Sequence, residues 1–147
     1  MAACNGARFD ICQFFMGRCY YEGVGVTKDY KKALELFLAS EDLVYSRLYI
    51  GDCYLYGYGV EMDYNEAIKY YEDCTFRGGD FRLGTCYAIG LGVKKSKEKA
   101  LELYDDAIPY LEDFVDANDA PYNMDKEMLE EVLRDYKRLF GKEYEPC

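Results

Sequence analysis

Cysteines are the residues of this chain best suited to binding a metal, and there are seven of them. Cys19, Cys53 and Cys86 each follow a glycine by two positions, at intervals of 34 and 33 residues. Structural zinc needs four ligands around one point, usually supplied by close Cys-x-x-Cys pairs, and the sequence has no such pair. Equivalent positions of stacked repeats lie on the order of 10 Å apart. We therefore predict no metal site and place these three thiols in the core as small hydrophobic residues.

Carboxylates could act as general acids and bases, and they occur in pairs at Asp105-Asp106, Glu112-Asp113 and Glu130-Glu131. Such catalysis needs two carboxylates in different environments of one cleft, whereas sequence neighbours on a helix point apart. The chain also has no histidine, so no serine or cysteine nucleophile can be assigned the usual base. We predict no catalytic residue, no cofactor and no enzymatic activity.

The charge balance restricts the partners that the chain can bind. Its 147 residues include 28 acidic and 18 basic side chains, which gives a net charge of −10. Nucleic acids and anionic membranes are bound by clustered Lys and Arg, so both are unexpected partners. Half of the residues are hydrophobic and only three are proline, which favours a single globular domain over residues 1–147.

The beginning of the chain bears on its compartment. It shows no basic stretch followed by an apolar one, and no apolar run approaches the ~20 residues of a membrane span. We expect a cytoplasmic protein with reduced cysteines. If a leader had been removed, Cys4, Cys12 and Cys19 would become disulfide candidates, whose connectivity the sequence does not define.

Internal repetition is the strongest pattern in the sequence. Three segments, Met16–Val26, Ile50–Val60 and Leu83–Val93, read apolar-G-x-C-Y-x-x-G-x-G-V. The match continues downstream with Asp29, Asp63 and Ser96, then Ala33, Ala67 and Ala100, then Phe37, Tyr71 and Tyr104. A shared period of this length predicts stacked copies of one supersecondary unit.

The first part of each repeat predicts a helix. Apolar residues recur at three- and four-residue spacing, which makes one stripe on a helix. In the first repeat this stripe consists of Phe14, Met16, Tyr20 and Tyr21. Glycine inside a helix costs roughly 1 kcal/mol relative to alanine. Its recurrence at Gly17, Gly51 and Gly84 predicts that another helix approaches closely there.

The second part of each repeat predicts a turn and a second helix. We call the G-x-G-V segment the elbow, since one of its glycines suits the left-handed position after a helix. Asp29, Asp63 and Ser96 then stand where a helix N-cap belongs. The core-facing residues of the second helices are expected to be the three alanines with Leu36, Phe37, Tyr70, Tyr71, Leu103 and Tyr104.

These residues resemble the Sel1-like repeats, a branch of the tetratricopeptide-like helical repeats. The family pattern, L-G-x-x-Y-x-x-G-x-G-V-x-x-D-x-x-K-A-x-x-W/Y-Y/F, is met from Met16 to Phe37, from Ile50 to Tyr71 and from Leu83 to Tyr104. The resemblance implies an all-α solenoid of three helical hairpins, at about residues 8–42, 43–77 and 78–108.

Residues 109–147 are expected to form a C-terminal cap. Pro109 is suited to a first helical turn, so we predict a short new helix over Pro109–Ala117. Asn118–Pro121 predicts a turn, after which Asn123 or Asp125 caps a last helix that ends at Gly141. The apolar stripe of this helix is Met128, Leu129, Val132, Leu133, Tyr136, Leu139 and Phe140. It covers the last repeat, or alternatively binds a partner.

A solenoid of this kind presents a concave groove lined by the first helices. The groove positions of the related tetratricopeptide pattern, carried over to this sequence, are Phe14, Arg18, Tyr21, Glu22, Tyr45, Leu48, Asp52, Leu55, Tyr56, Phe81, Ala88 and Ile89. Tyrosine is favoured at interfaces because it is large, stiff and amphipathic. The alternative is that some of these side chains pack between repeats.

The resemblance implies an adaptor or scaffold that binds a protein or peptide without catalysis. The charge of −10 would steer a basic partner towards the groove. The alternative is an acidic inhibitor or immunity-type protein that blocks a basic enzyme such as a nuclease. Salt distinguishes the two, because binding by a nucleic-acid mimic weakens steeply with ionic strength and binding in an apolar groove does not.

Overall fold

The computed structural model describes residues 7–74, 79–117, 124–142 and 144. These ranges contain seven α-helices and no strand, as expected for an all-α repeat fold. The helices are α1 Ala7–Glu22, α2 Tyr30–Ala39, α3 Val44–Tyr56, α4 Tyr64–Glu72, α5 Gly79–Ile89, α6 Lys97–Ala117 and α7 Met124–Phe140. The contacts divide the chain after Asp73 into an N-terminal unit with α1–α4 and a C-terminal unit with α5–α7.

Each unit is built from helical hairpins that the repeat glycines allow to close. A Cβ atom placed on Gly17 would lie 2.7 Å from Cε1 of Phe37, and one on Gly51 would lie 2.5 Å from Cε1 of Tyr71. In the C-terminal unit, a Cβ atom placed on Gly84 would lie 2.7 Å from the ring of Tyr104. The predicted close approach is therefore confirmed, and an aromatic ring of the second helix occupies the space that each glycine leaves.

The elbows also have the predicted geometry. The first elbow glycine adopts a positive φ in every repeat, with values of 72°, 71° and 85° at Gly23, Gly57 and Gly90. The second glycine of each elbow does the same, so both elbow positions demand a residue without a side chain.

The predicted N-caps are confirmed as well. The carboxylate of Asp63 accepts hydrogen bonds from the backbone N–H groups of Asn65 and Glu66, at 3.0 and 3.2 Å. Asp29 accepts one from Lys32, and the Ser96 hydroxyl accepts one from Lys99. Each cap satisfies backbone donors that the first turn of the second helix leaves open.

The core follows the second-helix columns. The three repeat alanines and the rings of Phe37, Tyr71 and Tyr104 are fully buried, as are Cys53 and Cys86. Leu36, Tyr70, Leu103 and Cys19 are only half-buried. Met16 departs from the predicted stripe, because 52% of it is exposed whereas its repeat equivalent Ile50 is fully buried. The difference arises because α2 packs against α3, while no described helix packs on the corresponding side of α1.

The C-terminal unit corrects one prediction. Residues 109–117 do not form a new helix, because α6 continues from Lys97 to Ala117 with Pro109 inside it. Pro109 and Asp105 are exposed. The Asp105 carbonyl, which loses its helical N–H partner at Pro109, therefore lies on the exposed side of α6, where water can replace that partner.

The last helix packs as the predicted cap. α7 contacts α6 and α5, and it buries Met128, Val132 and Tyr136. Gly141 ends it with φ +69° and donates its N–H to the Lys137 carbonyl. Since α7 begins at Met124, Asp125 lies inside the helix and is not its cap. The predicted turn at Asn118–Pro121 and the alternative cap Asn123 lie outside the described residues.

Candidate functional site

Five of the twelve predicted groove residues lie in the core. They are Phe14, Leu48, Asp52, Leu55 and Phe81, and none is more than 6% exposed. A side chain that is buried to this degree offers a partner almost no surface. These five residues therefore pack in the core, which was the alternative to a role in the groove.

The other seven predicted residues retain accessible surface. Arg18, Tyr21, Tyr45 and Ala88 are half-buried, and Glu22, Tyr56 and Ile89 are exposed. Tyr56 is the most exposed of the predicted aromatic residues, at 55%. Ala88 and Ile89 belong to the C-terminal unit, and the remaining five lie on α1 and α3 of the N-terminal unit.

The burial of Asp52 has a specific cause within its own repeat. The Tyr71 hydroxyl donates a hydrogen bond of 2.5 Å to the Asp52 carboxylate. At the equivalent position of the third repeat, the Thr85 hydroxyl pairs with the Tyr104 hydroxyl at 2.6 Å. In the second and third repeats, the residue after the repeat glycine is therefore polar and pairs with the hydroxyl of the second-helix tyrosine.

The first repeat differs at the same position. Its second-helix ring is Phe37, which has no hydroxyl, and Arg18 instead forms an ion pair of 3.0 Å with the exposed Glu22. The ion pair thus holds the exposed Glu22 beside the half-buried Arg18 on α1.

Five accessible aromatic residues of the N-terminal unit form a contiguous group, which we call the tyrosine cluster: Tyr21, Tyr30, Tyr49, Tyr56 and Tyr58. The rings of Tyr30 and Tyr58 stack in parallel with their centroids 4.1 Å apart. Tyr21 meets Tyr58, Tyr30 and Tyr49 edge to face at 5.1–5.9 Å. Tyr56 continues the cluster outwards from Tyr58 at 5.4 Å.

The tyrosine cluster rests on the core. Tyr49 stacks on Phe37 at 4.9 Å and meets Phe14 at 5.8 Å. The predicted residue Tyr45 joins the same layer through Phe14, at 6.1 Å. Rings held on several sides lose little further conformational freedom when they bind a partner.

Three members of the cluster, Tyr30, Tyr49 and Tyr58, were not among the predicted residues. Tyr58 stands between the two glycines of its elbow, where the other repeats carry Val24 and Leu91, and this aromatic substitution is the signal that could have revealed it. A Cβ on Gly59 would lie 2.7 Å from the Tyr30 carbonyl oxygen, so the elbow lies directly against the start of α2. That contact brings Tyr58 onto Tyr30.

The environment of Tyr21 disfavours ionisation of its hydroxyl. Burial, followed by the negative charge of Asp52, raises the pKa of the Tyr21 hydroxyl far above its ordinary value of 10.0. Burial also raises the pKa of the neighbouring Cys53 thiol to about 12, so this cysteine is not a thiolate nucleophile at neutral pH. The ammonium of Lys28 lies 4.8 Å from the Tyr30 ring centroid at the edge of the cluster.

The part of the chain that the structure describes contains no group of three or more side chains able to hold a metal ion. Among the described helices, none combines the length and the apolar character that crossing a bilayer requires. The geometry offers instead an aromatic contact surface with charged neighbours.

Comparison with known proteins identifies the repeats. The family model described as "Sel1 repeat" matches residues 10–43, 44–72 and 79–107, which together exceed half of the chain. No curated protein matches the sequence significantly.

Solved structures with the same fold include two from bacteria. A Sel1 repeat protein from Oxalobacter formigenes superposes with a TM-score of 0.60 at 20% identity, covering 88% of this chain and 50% of that one. The protein c5321, a protective antigen present in uropathogenic Escherichia coli strains and displaying an SLR fold, superposes with a TM-score of 0.57 at 25% identity. That match covers 93% of this chain and 28% of c5321, so this chain spans half or less of either relative.

Proposed function

Because the chain belongs to the Sel1 repeat family, whose members are generally scaffolds for protein–protein interactions, we propose that it is a non-enzymatic module that binds a protein or peptide segment. The contact surface that we propose is the tyrosine cluster, together with Arg18, Glu22 and Tyr45. One observation carries the proposal. Tyr56 is 55% exposed, and its ring contacts Tyr58, which in turn contacts the half-buried Tyr21.

The physical argument for Tyr56 as an anchor is its combination of area and stiffness. A tyrosine offers a large apolar ring and a hydroxyl while losing few rotamers on binding. Residues of this kind, surrounded by rigid neighbours, account for most of the binding energy at protein interfaces. Tyr21 and Tyr58 support the anchor, since Tyr21 meets Tyr58 at 5.9 Å and Tyr58 meets Tyr56 at 5.4 Å.

The proposed partner is basic. The chain carries a net charge of −10, which attracts a cationic segment and speeds its association more than it tightens the complex. A basic residue of the partner could also lie on an exposed tyrosine face, where a cation is favourably placed.

Selection of peptides from a random display library on the immobilised protein tests the proposal. For the selected peptides, we expect Tyr56→Ala to weaken binding at least tenfold, which is the effect of losing an anchor residue. Leu38→Ala is the matched control, because Leu38 is also exposed but lies on α2 outside the cluster. Equal binding by wild type and Tyr56→Ala would contradict the proposal.

The same peptides measured at several salt concentrations separate the two kinds of binder. An aromatic anchor predicts an affinity that changes little between about 0.05 and about 0.5 M salt. A steep loss over this range, with Tyr56→Ala unaffected, would instead favour the acidic inhibitor of a basic enzyme.

A further inference from the structure

A second apolar surface lies on the opposite side of α1. Phe9, Cys12, Met16 and Tyr20 follow one another at intervals of three and four residues, so they form one stripe along the helix. Phe9 is 49% exposed and Met16 is 52% exposed, and Cys12 is exposed as well. The predicted groove residues Arg18, Tyr21 and Glu22 point away from this stripe, because they are offset by about half a helical turn.

The stripe borders a cavity between α1 and α2. Its volume is about 300 Å³, and it is lined by Met16, Tyr20, Lys32, Glu35 and Leu36. We call the stripe together with this cavity the outer face of the N-terminal unit. Met16 and Tyr20 belong to both the stripe and the cavity, and 52% of Met16 is exposed.

In the second repeat, the equivalent surface packs against another helix. The equivalents of Cys12 and Met16 are Ser46 and Ile50, and both are completely buried. They lie on α3, the helix on which α2 packs, and the Ser40 hydroxyl reaches the Ser46 hydroxyl at 2.7 Å. The same positions of the repeat thus form a helix-packing surface in α3 and an exposed surface in α1.

A second copy could reach the outer face head to tail or face to face. Head-to-tail stacking would require the last hairpin to present an open face, but α7 packs on α6 and α5 there. Tyr136 and Phe140 of α7 lie against Tyr104, and Glu131 pairs with Arg82 at 3.0 Å. Because α7 covers the last hairpin, a face-to-face arrangement is the one that remains for a second copy.

The charges on the outer face are complementary to themselves. Lys32 and Glu35 are exposed, opposite in sign and three residues apart on α2. When two copies of a helix meet antiparallel about a two-fold axis, Lys32 of one copy faces Glu35 of the other, and the pair occurs twice. A strongly basic partner would meet Lys32 with like charge, so the outer face suits a second copy better than the basic segment proposed above.

From the exposed stripe, the buried equivalents and the self-complementary charges, we infer that the outer face is a homodimer interface. Two copies meet about a two-fold axis with Met16 at the centre and the Lys32–Glu35 pairs at the rim. The stripe is only about 16 Å long, so the interface is small and we expect a weak dimer.

Sedimentation velocity over a concentration series, from about 5 to about 500 μM, tests this inference. We expect the mass of the wild type to rise from one chain to two, and Met16→Glu to raise the dimer dissociation constant at least tenfold. Met62→Glu is the matched control, because Met62 is 54% exposed but lies after α3, outside the outer face. A wild type that stays monomeric throughout, or a Met16→Glu variant that dimerises like the wild type, would overturn the inference.

A charge exchange tests the two-fold geometry and does not depend on the fate of the Met16 variant. Lys32→Glu and Glu35→Lys each place like charges opposite one another twice, so we expect each to weaken the dimer. The double variant restores opposite charges and should recover the affinity of the wild type. Additive losses in the double variant would exclude this pairing. Monomeric Met16→Glu should still bind the selected peptides, so failure of the dimer and failure of the tyrosine cluster give different results.

Discussion

Gly51 shows how a single residue sets the distance between two helices. The ring of Tyr71 occupies the space in which a Cβ would lie at 2.5 Å, so the helix cannot accept even one additional carbon there. Alanine would otherwise be the better helix former by roughly 1 kcal/mol. The packing of the ring explains why each repeat keeps a residue that its helix disfavours.

We therefore predict that Gly51→Ala destabilises the protein by about 1–3 kcal/mol through overpacking, against the preference of the isolated helix. Chemical unfolding followed by circular dichroism measures the change. The control is the same substitution in a Tyr71→Ala background, where the ring is absent and alanine should gain about 0.5–1 kcal/mol. A single Gly51→Ala variant as stable as the wild type would contradict the steric argument.

Asp52 marks the limit of residue-level prediction at the site. Its position in the repeat predicted a groove residue, and a carboxylate is usually exposed. In the structure, Asp52 is buried and accepts a hydrogen bond from the Tyr71 hydroxyl. Sequence spacing defines the column that a residue occupies. It does not reveal that a hydroxyl 19 residues away points at that column.

At the scale of the element, α6 is the helix that extends beyond the repeat. It runs through Pro109, whose ring removes a backbone donor and whose cost inside a helix is about 3 kcal/mol relative to alanine. The residues around it are held by burial, since Ala107, Ile108 and Leu111 lie in the core. Tertiary packing thus overrides the local preference of proline to begin or end a helix.

This balance predicts that Pro109→Ala stabilises the protein by about 1–3 kcal/mol, because the helical hydrogen bond to the Asp105 carbonyl is restored. The midpoint of urea unfolding should rise accordingly. Glu102→Ala, at another exposed position of α6, should change the stability by no more than about 0.5 kcal/mol. An unchanged or lower midpoint for Pro109→Ala would show that α6 is not continuous at this residue.

For the whole molecule, the excess of acidic groups makes stability depend on pH. Asp80 of α5 is half-buried, and burial followed by the charge of Asp106 raises its pKa to about 6. An ordinary unfolded aspartate titrates near 3.8. The folded state therefore holds this proton more tightly, so the ionisation of Asp80 lowers stability as the pH rises from about 4 to about 6.

The corresponding prediction is that Asp80→Asn is more stable than the wild type at pH 7 and equally stable below about pH 3, where Asp80 is neutral in both states. Unfolding curves across this pH range measure the difference. Asp106→Asn should produce a smaller gain, because it removes only the second cause of the shift. A constant difference at every pH would argue against titration of Asp80.

The hairpins, elbows, caps and C-terminal helix could be read from the sequence because they depend on local requirements. A left-handed backbone needs glycine, a first turn needs an acceptor, and a helix that packs on one side needs a regular apolar stripe. These requirements recur in every repeat, and Asp63 and Gly57 meet them as Asp29 and Gly23 do.

Exposure depends on which neighbour is present, and only the folded chain decides that. Met16 and Ile50 occupy the same column, yet one is exposed and the other buried because α2 covers α3 and no described helix covers that side of α1. In the same way, Tyr58 joins the tyrosine cluster because its elbow packs on the start of α2. A periodic pattern marks the faces of a helix, whereas tertiary packing selects the faces that remain open to a partner.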